Sequence, residues 1–166
     1  MELTNEERGR KASIDGFAHE HFVVGILMKK YQNVSLVDLP LSTYDIIIAR
    51  KLEDETEDII RAQVKTSRNS IHFTGGLRGG VDRTYKSGVK EYTQSPATSD
   101  VVIGFKPIGD DAFELYFVPT ILISHWKTKS KSLNQIAELK NNYDFLENCK
   151  NHEYIIKKAK KLGLIK

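Results

Sequence analysis

The chain predicts an α/β or α+β fold, a mixed sheet of about five strands flanked by helices. Three observations predict it. The N-terminal segment carries a helix-period apolar pattern opened by a capping box, Thr4-Asn5-Glu6-Glu7. A series of short segments rich in Ile, Val and Phe follows, separated by turn residues and charged runs. The C-terminal region, 132–166, returns to helical spacing. At 166 residues, 40% hydrophobic and 28% charged, the expectation is a single domain over 1–166 with a real core.

The first helix is expected to begin near residue 5. Ile14, Ala18, Phe22, Gly25 and Met28 recur every three or four residues, Phe17, Val24 and Leu27 widen the face, and the pattern stops near Tyr31-Gln32-Asn33. Glu20 sits one turn from Phe17 and Val24, a candidate for a carboxylate turned partly inward; periodicity alone reads it as a solvated helix residue. Asn33 to Leu39 is a short strand ahead of Pro40. Tyr44 to Ala49 is the next, with Tyr44, Ile46 and Ile48 on one face and Asp45, Ile47 and Ala49 on the other. The acidic run from Arg50 to Asp58 is a solvated turn.

In the strand Ile59 to Thr66, Arg61, Gln63 and Lys65 share one face and Ile60, Ala62 and Val64 the other. Gln63 and Lys65 therefore point the same way, about 7 Å apart. A short strand at Ile71-His72-Phe73 completes a meander. Residues 74–80 hold Gly75, Gly76, Gly79 and Gly80, a tight or flexible loop that lacks the Gly-Lys-Ser/Thr ending of a phosphate cradle. Asp82 to Tyr92 reads as a short helix or ordered loop. Val101 to Phe105 is apolar throughout, a buried strand that pairs with Phe113 to Val118 in a hairpin. Pro119 opens a helical turn through Trp126, Lys127 to Lys131 is a basic linker, Leu133 to Leu146 is a helix, and Tyr154 to Leu162 is a basic terminal helix.

Composition narrows the function classes. A net charge of +3 calls for clustered basic residues if nucleic acid is the partner. The single Cys149 excludes an intramolecular disulfide and a multi-cysteine zinc site; it reads as an ordinary helix residue. No apolar run approaches the roughly 18 residues that span a bilayer, and the charged N-terminus does not read as a signal peptide. No membrane association and a cytoplasmic location are the expectation.

Two strands carry polar residues that an ordinary strand does not need: Asp45, and Gln63-Val64-Lys65. Phosphodiester hydrolysis requires an activated water and relief of growing charge on the phosphate, both supplied by a divalent cation that prefers oxygen ligands. Asp45, the side-chain oxygen of Gln63 and the carbonyl of Val64 form a partial shell for Mg²⁺, with Mn²⁺ as a substitute, and Glu20 adds a second carboxylate. Lys65 is placed to stabilise the transition state or orient the attacking water. Each residue also has a plainer reading: Asp45 as a strand-edge acid, Gln63 and Lys65 as the solvated face of an edge strand.

With Glu20 on a helix, Tyr-Asp-Ile-Ile-Ile around Asp45 and Gln-Val-Lys-Thr-Ser from Gln63, the chain resembles the PD-(D/E)XK nuclease superfamily, in the variant with Gln in place of the second acid. The resemblance spans about residues 12 to 120 and is nearest to the small QxK-type endonucleases, which include homing endonucleases; type II restriction enzymes and Holliday-junction resolvases are similar too. It implies a restriction-endonuclease-like mixed sheet, Mg²⁺ dependence, double-stranded DNA as substrate and a homodimer. It makes Asp45 the main metal ligand, Gln63 the substitute for the second acid, Lys65 the catalytic lysine and Glu20 the helix acid. Asp45 follows Tyr44 where the family pattern has Pro.

Basic residues that suit phosphate contact are Arg68, Arg78, Arg83, Lys86 and Lys90, then Lys127, Lys129 and Lys131, then Lys157 to Lys161. Residues 72–92 are expected to form a DNA-binding arm, with Thr66, Ser67 and Arg68 at its base; the plainer reading is a solvated surface loop. The function expected is a metal-dependent DNA endonuclease of restriction or homing type. Alternatives are a nucleic-acid-binding module whose metal site is weak or lost through Gln63, a structure-selective junction resolvase, and a nuclease acting on RNA.

Overall fold

The computed structural model describes residues 4–39, 41–76, 91–109 and 112–166. Helix α1 (Asn5–Tyr31) starts at the capping box: the Glu7 N–H donates to the Thr4 hydroxyl and the Thr4 N–H donates to the Glu7 carboxylate. Gln32, at φ +66°, closes it through an N–H bond to the Met28 carbonyl. The strands that follow are β1 (Asn33–Leu36), β2 (Ile46–Lys51), β3 (Glu57–Thr66), β4 (Ser70–His72), β5 (Thr74–Gly75), β6 (Tyr92–Thr93), β7 (Val101–Ile108) and β8 (Ala112–Pro119). Helix α2 (Thr120–Trp126) starts directly after Pro119, as the sequence predicts, and is followed by β9 (Ser130–Ser132).

Five strands form one mixed sheet in the order β1-β2-β3-β7-β8. Its neighbours are antiparallel except β3 and β7, which run parallel. A parallel pair needs a long crossover, and the segment between Thr66 and Val101 supplies it. Helices flank the sheet, the mixed α+β architecture that the sequence predicts.

Cross-strand register sorts the side chains. Ile46, Ile48, Ile60, Ala62, Val64 and Ile103 share one face and are all buried. Helix α1 crosses this face, burying Val23 and Leu27 and stacking His19 on Phe105 at 4.4 Å. Each isoleucine taken fully out of water there contributes about 1.5–3 kcal/mol. The opposite face carries Arg61, Gln63, Lys65 and Gly104.

Two expectations need correction. The Ile71 strand does not extend a meander: β4 leaves the sheet and pairs with β9 instead. The reason is packing. Ile71 is fully buried over Gly104, where an added Cβ would lie 2.4 Å from its Cδ1. The strand is drawn onto the face of the sheet and cannot lie beside β3. Its partner, β9, takes up part of what the sequence reads as a basic linker. Gly104→Ala overpacks this contact and is expected to cost about 1–3 kcal/mol. An unchanged urea midpoint would show that Ile71 is free to move aside.

The Leu133 to Leu146 helix is also not continuous. A 3₁₀ helix (Leu133–Leu139) is followed by helix α3 (Tyr143–Glu147). At the break, Asn141 adopts φ +50°, donates its N–H to the Leu115 carbonyl at 2.6 Å and accepts from the Leu115 N–H at 3.0 Å. Strand β8 is an edge of the sheet, and pairing its open backbone groups outweighs one more helical turn. Helix α4 (His152–Lys161) ends the regular structure. No helix among the described residues is long and apolar enough to cross a membrane.

Candidate active site

Asp45 lies just ahead of β2 and is pinned through its backbone. Its N–H donates to the Ala62 carbonyl at 2.9 Å and its carbonyl accepts from the Val37 N–H at 2.8 Å. Its carboxylate turns to β3, where Oδ2 accepts the Val64 N–H at 2.7 Å and the Gln63 Nε2 at 2.5 Å. The structure therefore brings Asp45, Gln63 and Val64 into direct contact. The Val64 carbonyl lies 3.4 Å from the same Gln63 nitrogen.

The Gln63 amide presents its nitrogen, not its oxygen, to Asp45. Gln94, which no local sequence pattern marks, is the cause. Gln94 is 1% exposed. Its Nε2 donates to the Thr43 carbonyl at 3.1 Å and to Gln63 Oε1 at 3.2 Å, and its Oε1 accepts from the Thr98 hydroxyl at 2.6 Å and the Ser99 hydroxyl at 2.8 Å. A backbone carbonyl only accepts, so Thr43 fixes which end of Gln94 carries the nitrogen. Gln94 in turn fixes Gln63. The available signal in the sequence is the run Thr98-Ser99-Asp100 ahead of the apolar strand, since buried hydroxyls and acids need partners.

The segment from Gln94 to Asp100 is tied to the site at further points. Thr43 donates its hydroxyl to the Thr98 carbonyl. Asp100, 7% exposed, accepts from the Arg61 backbone N–H at 2.8 Å, from Nε at 3.2 Å and from Nη2 at 2.8 Å. The hydrogen-bonded side of β3 that carries Gln63 is thus clamped from both ends of this segment.

Glu20 and Lys65 complete the charge pattern. Burial, and after it the charge of Asp45, push the half-buried Glu20 carboxyl up to about 7; the charge of Lys65 opposes this. Burial also raises the Asp45 carboxyl above its usual range, against the pull of the Val64 N–H and of Lys65. Burial lowers the Lys65 ammonium, and the charges of Asp45 and Glu20 hold it up. Helix α1 thus delivers Glu20 to within electrostatic reach of Asp45 and Lys65, the inward reading of that residue.

These shifts test whether a divalent cation suits the site. Two carboxylates that resist ionising beside each other are relieved by a cation between them. The oxygens on offer, those of two carboxylates and the Val64 carbonyl, suit the oxygen preference of Mg²⁺, while the Gln63 oxygen is taken by Gln94. Among the described residues no group of three or more His, Cys, Asp or Glu converges as a metal site. The fit therefore depends on Glu20 and Asp45.

The Glu20 shift has a stability consequence. Its folded-state value of about 7 exceeds its ordinary 4.5, so between those pH values the folded state binds more protons. In metal-free buffer, stability is expected to fall as pH rises from about 4.5 to about 7 relative to Glu20→Gln, then to run parallel to it. Thermal unfolding of both proteins across pH 4–9 checks this. A gap between them that is equal at both ends of that range would mean that Glu20 titrates normally.

Of the residues expected at nucleic acid, Thr66 is exposed at the end of β3, with its hydroxyl 2.7 Å from His19 Nδ1, and Arg68 is exposed just beyond. The structure does not bring Ser67 to the surface. It is 1% exposed, donates its hydroxyl to the Lys65 carbonyl at 3.2 Å and secures the strand end from inside. Arg78, Arg83, Lys86 and Lys90, with most of the 72–92 arm, lie outside the described residues. Tyr92 lies within electrostatic reach of Asp45: its ring lies over Gly75, where a Cβ would fall 2.6 Å from it, and its phenol is raised by burial and by the charge of Asp45. Cys149 lies in the turn after α3, not in a helix, and burial foremost pushes its thiol up to about 12, so it is inert.

Fold and site together define a mixed α+β protein with an acid, an amide and a lysine gathered around two adjacent strands and a helix-borne acid beside them. No protein-family model matches the chain, and no curated protein does. Its fold is similar to the solved structure of a bacterial homing endonuclease, I-Ssp6803I, with a TM-score of 0.49 and 13% sequence identity, covering 73% of this chain and 76% of that chain.

Proposed function

We propose that the chain is a divalent-metal-dependent endonuclease that hydrolyses phosphodiester bonds in double-stranded DNA. The observation that carries this reading is the pair Glu20 and Asp45, both with carboxyls raised by burial, within reach of the half-buried Lys65. Perturbed titratable groups gathered in this way are the mark of a chemical site more than of a structural ion pair.

Asp45, Glu20 and the Val64 carbonyl would hold Mg²⁺ or Mn²⁺. A cation bound there supplies a water of lowered pKa and neutralises charge on the phosphate. Lys65 sets a positive charge beside the negative charge that develops on the phosphoryl oxygens. Asp45 keeps one carboxylate oxygen on the Val64 and Gln63 N–H groups, which fixes its orientation. Arg68 at the end of β3, with the basic residues of the 72–92 arm, would bind the DNA backbone. A homodimer would place one such site on each strand.

A second reading is favoured by one feature, the nitrogen of Gln63 turned to Asp45. A metal set reduced to two carboxylates suits a nucleic-acid-binding module with little or no cleavage. Supercoiled plasmid incubated with Mg²⁺, with Mn²⁺ and with chelator separates the two. The nuclease reading expects nicking or linearisation that chelator abolishes and that Lys65→Ala slows by about 10²–10³-fold. DNA binding without cleavage by wild type, under both ions and on varied substrates, establishes the second reading.

A further inference from the structure

We propose that Gln94 is a positioning residue for the candidate site, acting on Asp45 chiefly through Gln63. This role rests on the reading of Asp45 as the metal-side acid and on the direction of four consecutive hydrogen-bonding groups. The Thr43 carbonyl admits only a donor, so it takes the Gln94 amide nitrogen. The second hydrogen of that nitrogen goes to Gln63 Oε1. With its oxygen so occupied, Gln63 turns its own nitrogen to Asp45 Oδ2. Reversing Gln63 would set two amide nitrogens against each other in a site closed to water on the Gln94 side, where Gln94 is 1% exposed.

Three hydrogen bonds hold the other end of this chain. The Gln94 oxygen takes the Thr98 and Ser99 hydroxyls, and its backbone N–H donates to the Phe73 carbonyl at 2.7 Å. The Asp45 loop, through Thr43, and the Gln63 strand are thereby fixed by one side chain. Gln63 in this arrangement does not offer its oxygen to a cation. It steadies the carboxylate that does, in the manner of the outer hydrogen bonds that orient metal ligands.

The direction of the chain is read in the wild-type protein, without metal, from couplings across hydrogen bonds in the NMR spectrum. Expected are one coupling from Gln63 Nε2 to the Asp45 carboxyl carbon and one from Gln94 Nε2 to the Gln63 amide carbon. A coupling from Gln63 Nε2 to the Gln94 amide carbon overturns the proposal. Its consequence is read by calorimetric titration with Mn²⁺. Gln94→Met is expected to weaken binding by about tenfold or more. In a Gln63→Met background the same substitution should change affinity by less than about twofold, because its main route to Asp45 is already gone. A full tenfold loss in that background overturns the proposal and assigns Gln94 a general structural role; should Gln94→Met fail to fold, the wild-type couplings decide. Wild type that binds Mn²⁺ but leaves plasmid intact overturns the nuclease reading alone, whereas wild type that binds no Mn²⁺ overturns both.

Discussion

Asp45→Asn is expected to lower cleavage by more than about 100-fold while raising the midpoint of thermal unfolding in metal-free buffer. The two effects share one cause. Asp45 is half-buried, and burial is the main influence on its carboxyl, which lies above its usual range. The charge needed to hold a cation is one that the half-buried setting of Asp45 disfavours. Asparagine keeps a single oxygen that can accept both the Val64 N–H and the Gln63 Nε2, so the local hydrogen bonds survive. It removes the charge, and with it the repulsion of Glu20. Activity and stability then move in opposite directions, the signature of a strained functional group. Plasmid cleavage and a thermal scan on the same two proteins make the comparison. An asparagine variant that unfolds below wild type would mark Asp45 as an acid held for the fold, and the site assignment would be lost with it.

Asp100→Ala is expected to have the largest effect on stability of any single change away from the core, about 3–5 kcal/mol. Asp100 receives three hydrogen bonds from Arg61, one from the backbone and two from the guanidinium. Its removal leaves the Arg61 N–H without a partner and a cation that is only partly exposed. It also loosens the residue beside Ser99, which steadies Gln94. Urea unfolding measures the loss, and Asp100→Asn should recover part of it by retaining one acceptor. A cost below about 1 kcal/mol, the usual worth of an exposed ion pair, would show that solvent already screens this contact.

The sequence was most informative where a local rule has a single outcome. The Thr4–Glu7 capping box sets the start of α1, the alternation in Gln63-Val64-Lys65 places Gln63 and Lys65 on one face, and the apolar run at Val101 marks a buried strand. It was less informative where two local outcomes lie close in energy. Leu133 to Leu146 has helical spacing, but the open backbone of Leu115 captures Asn141 and the helix divides. Ile71 has strand spacing, but the absence of a side chain at Gly104 draws it onto the sheet face and away from β3.

The candidate site divides in the same way. Asp45, Gln63 and Lys65 are legible as residue types at spacings that suit one chemistry, because strand alternation fixes which way each side chain leaves its own strand; helix period alone reads Glu20 as solvated, and only the resemblance singles it out. The chain alone therefore determines the fold class, the strands that bear the site and the identity of its charged groups. Tertiary structure decides what those groups feel and which way they turn. Burial against α1 and the sheet raises Glu20 and Asp45, and the Thr43 carbonyl, acting through Gln94, chooses the nitrogen of Gln63 over its oxygen. Both depend on contacts between residues far apart in sequence, whose energies no local pattern records.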